Sequence, residues 1–377
     1  MISDFGFGIW DLGFGKEQGR MGPMRTKKPD AGAAWATCFR HLPKVSRTFA
    51  LAIDGLPDPL RGEVCVAYLL CRVLDTVEDA PRLTSDQRRS LIDPLLDLLR
   101  EADPLPISWH QAVDDLLTSR SSATDLALLK DGDLVLEAFR SCGPSARLAI
   151  TRWVTEMGKG MVIWSERMGE GEGSLKTLRT MADLDRYCYY IAGTVGYLLT
   201  DLFFIRSPRI DKTLFYELQG DAEAFGLGLQ KVNIVKDLAD DFRRGWCFIP
   251  TDLLRGQGVR PEDFSGTDRA GAVYAAVSPV LATSADHLGR AWDYLSRIPV
   301  EEREIRLFLA YSLFFALRTL ALVAEDPASL VAPAKLKISR VEVAKIVAAC
   351  QLKISDPGAL EAFHKKTAAP LSVFHSK

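Results

Sequence analysis

The dominant period in this sequence is that of an α-helix. Between Arg61 and Asp79, the residues Val64, Ala67, Leu70, Cys71 and Leu74 recur at steps of three and four, as one helical face requires. Sustained apolar–polar alternation is missing, and so are Asn-Gly hairpin turns, which leaves strands little to start from. Punctuation separates one helical segment from the next. Pro57 and Pro59 precede the Arg61 segment, Ala80 and Pro81 close it, and the run LTSD at 83–86 offers a cap for its successor. Pro104, Pro106, Gly143 with Pro144, Gly245–Pro250 and Pro279 mark later breaks, and Gly169–Gly173 (GEGEG) reads as a solvated loop. No repeat of fixed period and no linker rich enough to divide the chain is present. The expectation is one all-α domain over 31–357, a poorly ordered extension at 1–30 and a C-terminal tail at 358–377.

Composition narrows the class. Core-type residues make up 47% of the chain, which excludes wholesale disorder. Lys and Arg number 47 against 49 Asp and Glu, so nothing electrostatic favours a nucleic-acid partner. The seven cysteines are odd in number, scattered and free of C-x-x-C spacing. They read as reduced core cysteines of a cytoplasmic protein. Residues 1–30 mix Phe5, Phe7, Trp10 and Phe14 with glycines and lack the continuous apolar stretch of a signal peptide; Met21 and Met24 are alternative starts. Leu307–Leu317 lies between Arg306 and Arg318, and Ile191–Ile205 is interrupted by Asp201. Both are read as buried helices, not membrane spans. A mean hydropathy of +0.03 leaves room for peripheral contact with a membrane surface.

Two segments carry the chemistry. In the first, Asp75 and Asp79 are four apart and share a helix face, with Arg72 and Tyr68 three and seven residues before Asp75 on that face. In the second, Asn233, Asp237 and Asp241 follow one another at steps of four, and Gln230 lies near the same stripe. The residues between them, Val232, Ile234, Val235 and Leu238, are apolar. Such a helix is mostly buried, and buried carboxylates without partners are costly. An all-oxygen donor set suits Mg²⁺, which binds through one or two carboxylates, waters and phosphate oxygens. The alternative is a pair of solvated helix faces rich in acids. Glu78 and Asp240 lie about 60° off the stripes. Glu78 stays in the candidate ligand set, with an outer supporting role or plain exposure as its alternatives.

Other signals are weaker. The five histidines are scattered, with no E-x-x-H pair for a di-iron bundle. Gly226 and Gly228 open a helical pattern with no strand before them, so close helix packing explains them better than a phosphate loop. Ser46 is a plausible N-cap; with Lys44 and Arg47 beside it, the same turn offers an anion site.

At these residues the sequence resembles the squalene/phytoene synthase family. The similar stretches keep the family's order over roughly 43–350: SRTF at 46–49, YLLCRVLDTVED at 68–79, EMGKGM at 156–161, YCYYIAGTVG at 187–196, GLGLQKVNIVKDLADD at 226–241 and FIP at 248–250. The resemblance implies an isoprenoid-synthase α-fold around a central cavity. Two aspartate-rich helices would face each other across it and hold Mg²⁺ against a diphosphate. Asp75, Asp79, Asn233, Asp237 and Asp241 match the ligands. Ser46, Arg47 and Arg72 match positions that contact diphosphate, and Tyr68, Gln230 and Lys236 fall in the substrate-binding set. Tyr187 matches the tyrosine assigned to proton transfer; Phe49 and Phe308 match aromatic positions along the cation path. For Tyr187 and Phe308 the residues themselves leave plain core packing open.

The resemblance further implies head-to-head coupling of two farnesyl diphosphates through a cyclopropyl intermediate. YCYYIAGTVG, EMGKGM and the DTVED form of the first motif look most like the NADPH-dependent, squalene-forming branch. Leu336–Arg340 resembles the segment supplying basic residues to NADPH, with Lys337 the better match and Arg340 displaced by one position. A phytoene-, dehydrosqualene- or presqualene-diphosphate-forming end is the near alternative. A non-catalytic scaffold that binds prenyl lipid is the distant one. Two departures stand out: Trp246 occupies a usual arginine position, with Arg243 or Arg244 as substitutes, and Tyr311–Phe315 replaces a proline-containing pattern. The chain also ends without the C-terminal membrane helix of many eukaryotic members, which is read as a bacterial or soluble form.

Overall fold

The computed structural model describes residues 31–101, 103–168, 175–332 and 335–375. The N-terminal extension and the Gly169–Gly173 loop lie outside the described residues. So does the side chain of Arg47.

The helices follow the punctuation. Helices α1 (Ala31–Val45), α2 (Arg47–Asp54), α3 (Leu60–Asp79), α4 (Ser85–Leu98), α5 (Ile107–Leu117), α6 (Ala123–Lys130), α7 (Gly132–Ser141) and α8 (Pro144–Arg167) form the first half. Then α9 (Met181–Cys188) runs through one π-helical turn, Tyr189–Gly193, into α10 (Thr194–Arg206). Helices α11 (Lys212–Lys236), α12 (Leu238–Arg243), α13 (Thr251–Gly256), α14 (Ala270–Arg297), α15 (Arg303–Glu325), α16 (Arg340–Lys353) and α17 (Pro357–Ala368) complete the chain. Among the described residues, strand is confined to one two-stranded parallel pair, β1 (Lys176–Thr177) with β2 (Trp246–Cys247). The LTSD run caps α4 as expected: Thr84 Oγ1 accepts from Gln87 N at 3.2 Å, and Gln87 Oε1 accepts from Thr84 N at 3.0 Å.

Helix α15 is apolar all round and therefore central. It packs against α2, α11, α14, α16 and α17. Two helical stretches, Arg303–Glu325 and Met181–Arg206, are long and apolar enough to cross a membrane. In the first, 78% of the apolar window is buried inside the protein, against 44% in the second. Burial of that extent makes α15 a core helix.

Helix α11 comes into backbone contact with the π-turn and with α10. A Cβ on Gly226 would lie 2.1 Å from the Ala192 carbonyl oxygen, and one on Gly196 2.0 Å from that of Ala222. Gly226 therefore serves close packing, as its sequence context suggests. Burial of Glu63 is matched by Arg206, whose Nε donates to Oε2 at 2.8 Å and ties α3 to α10. The segment read from sequence as a tail joins the core: Leu360, Leu371 and Phe374 are buried, and Phe363 packs on Phe314 of α15 with ring centroids 4.5 Å apart.

Candidate active site

Helix α3 and the α11–α12 pair bring the two acidic motifs inside the protein. Asp75, Glu78, Gln230, Asn233, Asp237 and Asp241 are all buried, and Asp79 is half-buried. The second motif is not one unbroken helix. Asp237 leaves helical geometry (φ −106°, ψ 15°) and separates α11 from α12. The four-residue spacing survives the break, because Asp237 N donates to Asn233 O at 2.9 Å and Asp241 N to Asp237 O at 2.8 Å. Glu78 is not an exposed residue either. At 1% exposure it receives the Tyr187 hydroxyl on Oε1 at 3.2 Å.

Arginine 244 joins the motifs. Its guanidinium pairs with Asp241 Oδ1 and stands 4.0 Å from Asp79 Oδ2. Of the two substitutes for the missing arginine, Arg244 is the one that reaches; Arg243 is turned outward onto Asp240. Sequence reading missed Lys335. Its Nζ lies 2.7 Å from Asp237 Oδ1 and 3.0 Å from Asp240 Oδ2. Lys337 and Arg340, favoured from sequence, are exposed near the start of α16. The Lys335–Lys337 pair of basic residues was the available signal.

The remaining expected residues are placed as follows. Ser46 is a buried N-cap whose Oγ accepts from Phe49 N at 3.2 Å. Arg72 commits Nε and Nη2 to Asp125 of α6 at 2.9 and 3.1 Å, so a diphosphate contact would fall to its other N–H groups. Tyr68 packs against Phe49 with ring centroids 5.5 Å apart. Lys236 lies 3.2 Å from Asp237 Oδ2. Tyr187 is fully buried, stacked on Phe248 at 5.0 Å and met edge-on by Trp164 at 6.2 Å. Trp246 continues that stack against Phe248 at 5.4 Å, and Lys176 Nζ lies 4.5 Å from the centre of its ring.

Burial governs the electrostatics. It raises Asp75, with Asp79 adding to the effect. It pushes Glu78 up to about 7, helped by Asp79 and Asp75. Asp241 is pushed up to about 8 by burial, against the pull of Arg244. Burial and the nearby Glu78 hold the Tyr187 hydroxyl well above its usual range. Three buried oxygens, Glu78 Oε2, Asn233 Oδ1 and Asp241 Oδ2, have no hydrogen-bond partner. Unsatisfied buried acceptors of this kind are uncommon and call for a cation. Their all-oxygen chemistry fits Mg²⁺. Among the described residues no three acidic, histidine or cysteine side chains converge tightly enough to hold an ion unaided. An ion bound here would need its remaining ligands from water or phosphate.

The polar stripe of α11 runs into a cavity. Gln230 and Asn233 form its polar end; Phe49, Phe225, Tyr294 and Phe308 line it with aliphatic residues of α10 and α11. The atom-free space, counting the solvent-open mouth, is about 700 Å³. The π-turn at Tyr189–Gly193 contributes Ala192 to its wall. Such turns often mark functional sites.

An all-α fold with two buried acidic motifs and an apolar cavity between its helices is the isoprenoid-synthase architecture. The chain belongs to the squalene/phytoene synthase family, which matches residues 42–342. It is 30% identical to the squalene synthase of Schizosaccharomyces pombe over 290 residues, 77% of this chain and 60% of that protein. It is 27% identical to the squalene synthase of Bos taurus over 285 residues, 76% and 62% of the two chains. The chain thus spans about 60% of the length of the curated relatives it matches. The fold is similar to that of TcSQS solved with a ligand, at a TM-score of 0.70 and 23% identity, covering 91% of this chain and 99% of that one. It is also similar to a dehydrosqualene synthase solved with a ligand, at 0.62 and 20% identity over 86% and 97% of the chains.

Proposed function

We propose that this protein condenses two farnesyl diphosphates head to head into presqualene diphosphate and reduces that intermediate to squalene with NADPH. One observation carries the reading: the oxygen stripe Gln230–Asn233–Asp237–Asp241 leads from buried acids into an otherwise apolar, aromatic cavity. A hydrocarbon tail suits the cavity, and a diphosphate suits the acids once metal ions intervene. Mg²⁺ held by Asp75, Asp79, Asn233, Asp237 and Asp241, with Glu78 beside them, would neutralise the leaving diphosphate.

In the first half-reaction the C1–O bond of one farnesyl group breaks and diphosphate leaves. C1 then joins the allylic C2=C3 alkene of the second farnesyl diphosphate, which keeps its own diphosphate, and the donor C1 loses a proton as the cyclopropane closes. The Tyr187 hydroxyl, which donates to Glu78, would relay that proton. In the second half-reaction the remaining C–O bond breaks and the ring opens; NADPH, when bound, would supply the hydride that quenches the cation. Lys337 and Arg340 would attract the NADPH phosphates. Phe49 and Phe308 exclude water and offer ring faces to the cation. Seven free, buried cysteines suit a reducing, cytoplasmic setting, and release of a lipid product suits peripheral membrane contact.

The test is a product assay: purified protein with farnesyl diphosphate and Mg²⁺, with and without NADPH. Squalene formed only with NADPH supports the full reading. Dehydrosqualene or presqualene diphosphate, unchanged by NADPH, limits the protein to the first half-reaction. Farnesyl turnover that survives Asp75→Ala and Asp237→Ala would sink the assignment of the acids.

A further inference from the structure

We infer that Tyr294 is the stop that sets the prenyl chain length, so that the cavity accepts fifteen carbons and excludes twenty. The inference rests on the prenyl diphosphate reading above and adds to it a specificity-determining residue.

Helix α11 provides the ruler. It lines the cavity from Asn233 at the polar end to Ala222 at the apolar end. Eleven residues separate them, and at 1.5 Å per residue the span is roughly 16 Å. A zigzag carbon chain advances ~1.2 Å per bond, since an extended peptide covers about 3.4 Å in three bonds. On that scale a farnesyl main chain of eleven bonds needs roughly 13 Å, and a geranylgeranyl chain of fifteen bonds roughly 18 Å. The shorter chain fits with room for its link to diphosphate; the longer one overruns.

Tyr294 stands at the overrun. Its helix, α14, runs beside α11, with Leu288 against Gly228 and the Tyr294 ring edge-on to Phe225 at 5.7 Å. These two contacts put Tyr294 at the Ala222–Phe225 level, where it faces the cavity. The ring is fixed from behind. Tyr294 and Thr200 are buried, and their hydroxyl oxygens are 2.8 Å apart. Thr200 gives its own hydrogen to Gly196 O at 2.8 Å, so the Tyr294 hydroxyl donates to Thr200. Swinging the ring aside would break a buried hydrogen bond. Nearby, Phe203 backs Phe308 edge-on at 6.1 Å and stiffens the adjoining wall.

The experiment measures kcat/KM for farnesyl and geranylgeranyl diphosphates with wild-type protein, Tyr294→Ala, Tyr294→Leu and Tyr294→Phe, each checked by its melting curve. Wild type should prefer the fifteen-carbon substrate. Tyr294→Ala should move the twenty-to-fifteen ratio at least tenfold towards the longer chain. Tyr294→Leu, which keeps apolar volume if alanine fails to fold, should move it severalfold in the same direction. Tyr294→Phe keeps the ring but loses its tie to Thr200, so it should move the ratio in the same direction by less than Tyr294→Leu does. Farnesyl turnover with an unmoved ratio in the folded Ala or Leu variant overturns the stop alone. Wild type preferring the longer substrate overturns it directly. Turnover of neither substrate removes the prenyl-transfer reading and the stop with it.

Discussion

Metal binding to this site should release protons, by an amount set by its buried carboxyls. Glu78 and Asp241 are 1% and 2% exposed and sit near about 7 and about 8. At pH 7 a group at 7 is half protonated and one at 8 about nine-tenths, so the two hold roughly 1.4 protons between them. A hard cation takes only the ionised forms, and those protons must leave. Calorimetric titration with MgCl₂ at pH 7, repeated in buffers of different ionisation enthalpy, counts them. Asp241→Asn should lower the count by roughly 0.9. The same shifts fix the sign of the pH dependence without metal. Both carboxyls rise above their unfolded values, so the stability they contribute is present below about pH 4 and lost as pH climbs to about 8. For Asp241 the rise from 3.8 to about 8 amounts to roughly 5 kcal/mol over that window. The melting temperature of metal-free protein should therefore fall between pH 5 and 8.5, and saturating Mg²⁺ should flatten the slope. Binding heats that do not vary with buffer, together with a flat melting profile, would refute the reasoning.

Two further outcomes test the packing. Gly226→Ala should destabilise by roughly 1–3 kcal/mol or more, because the new Cβ meets the Ala192 carbonyl; Gly220→Ala, in the same helix with open space around it, should stabilise by about 0.5–1 kcal/mol. Urea unfolding of both variants reads the contrast. Arg206→Ala strands buried Glu63 and should cost about 3–5 kcal/mol, most of it recovered when Glu63→Leu is added.

What was legible in the sequence was local. The steps of three and four around Val64–Leu74 and the Asp75–Asp79 spacing are periodic features of one helix and survive in the fold, while the second motif keeps its spacing of four across the break at Asp237. The cap at Thr84 and the close packing at Gly226 were readable for the same reason. Features that join distant segments were not. Glu78 and Tyr187 are 109 residues apart, and Lys335 and Asp240 are 95 apart. No spacing rule connects such pairs. The break at Asp237 carries no proline or glycine, and two-residue strands are too short to show alternation. The C-terminal helix, in contrast, was signalled: Asp356 caps it and Pro357 occupies its first position, the usual pattern at a helix start.

Trp246 shows how a chain can depart from a motif and keep the charge the motif supplies. Compared position by position, tryptophan at a usual arginine site removes a cation from beside the second acidic motif. In space the cation is retained. Arg244, two residues earlier, lies at the end of α12 and spans from Asp241 to Asp79, so one guanidinium serves both acidic motifs. Trp246 is then free of any need to carry charge, and burial becomes its role. It lies flat on Phe248, which lies flat on Tyr187, and Trp164 meets Tyr187 in an edge-on contact. The stack on Phe248 and the edge contact with Trp164 restrict the Tyr187 ring, whose hydroxyl donates to Glu78. Charge acts through space over several ångströms, while packing acts only in contact. A cation can therefore shift two positions along the chain without loss, and the vacated position can take up a packing role beside the same tyrosine.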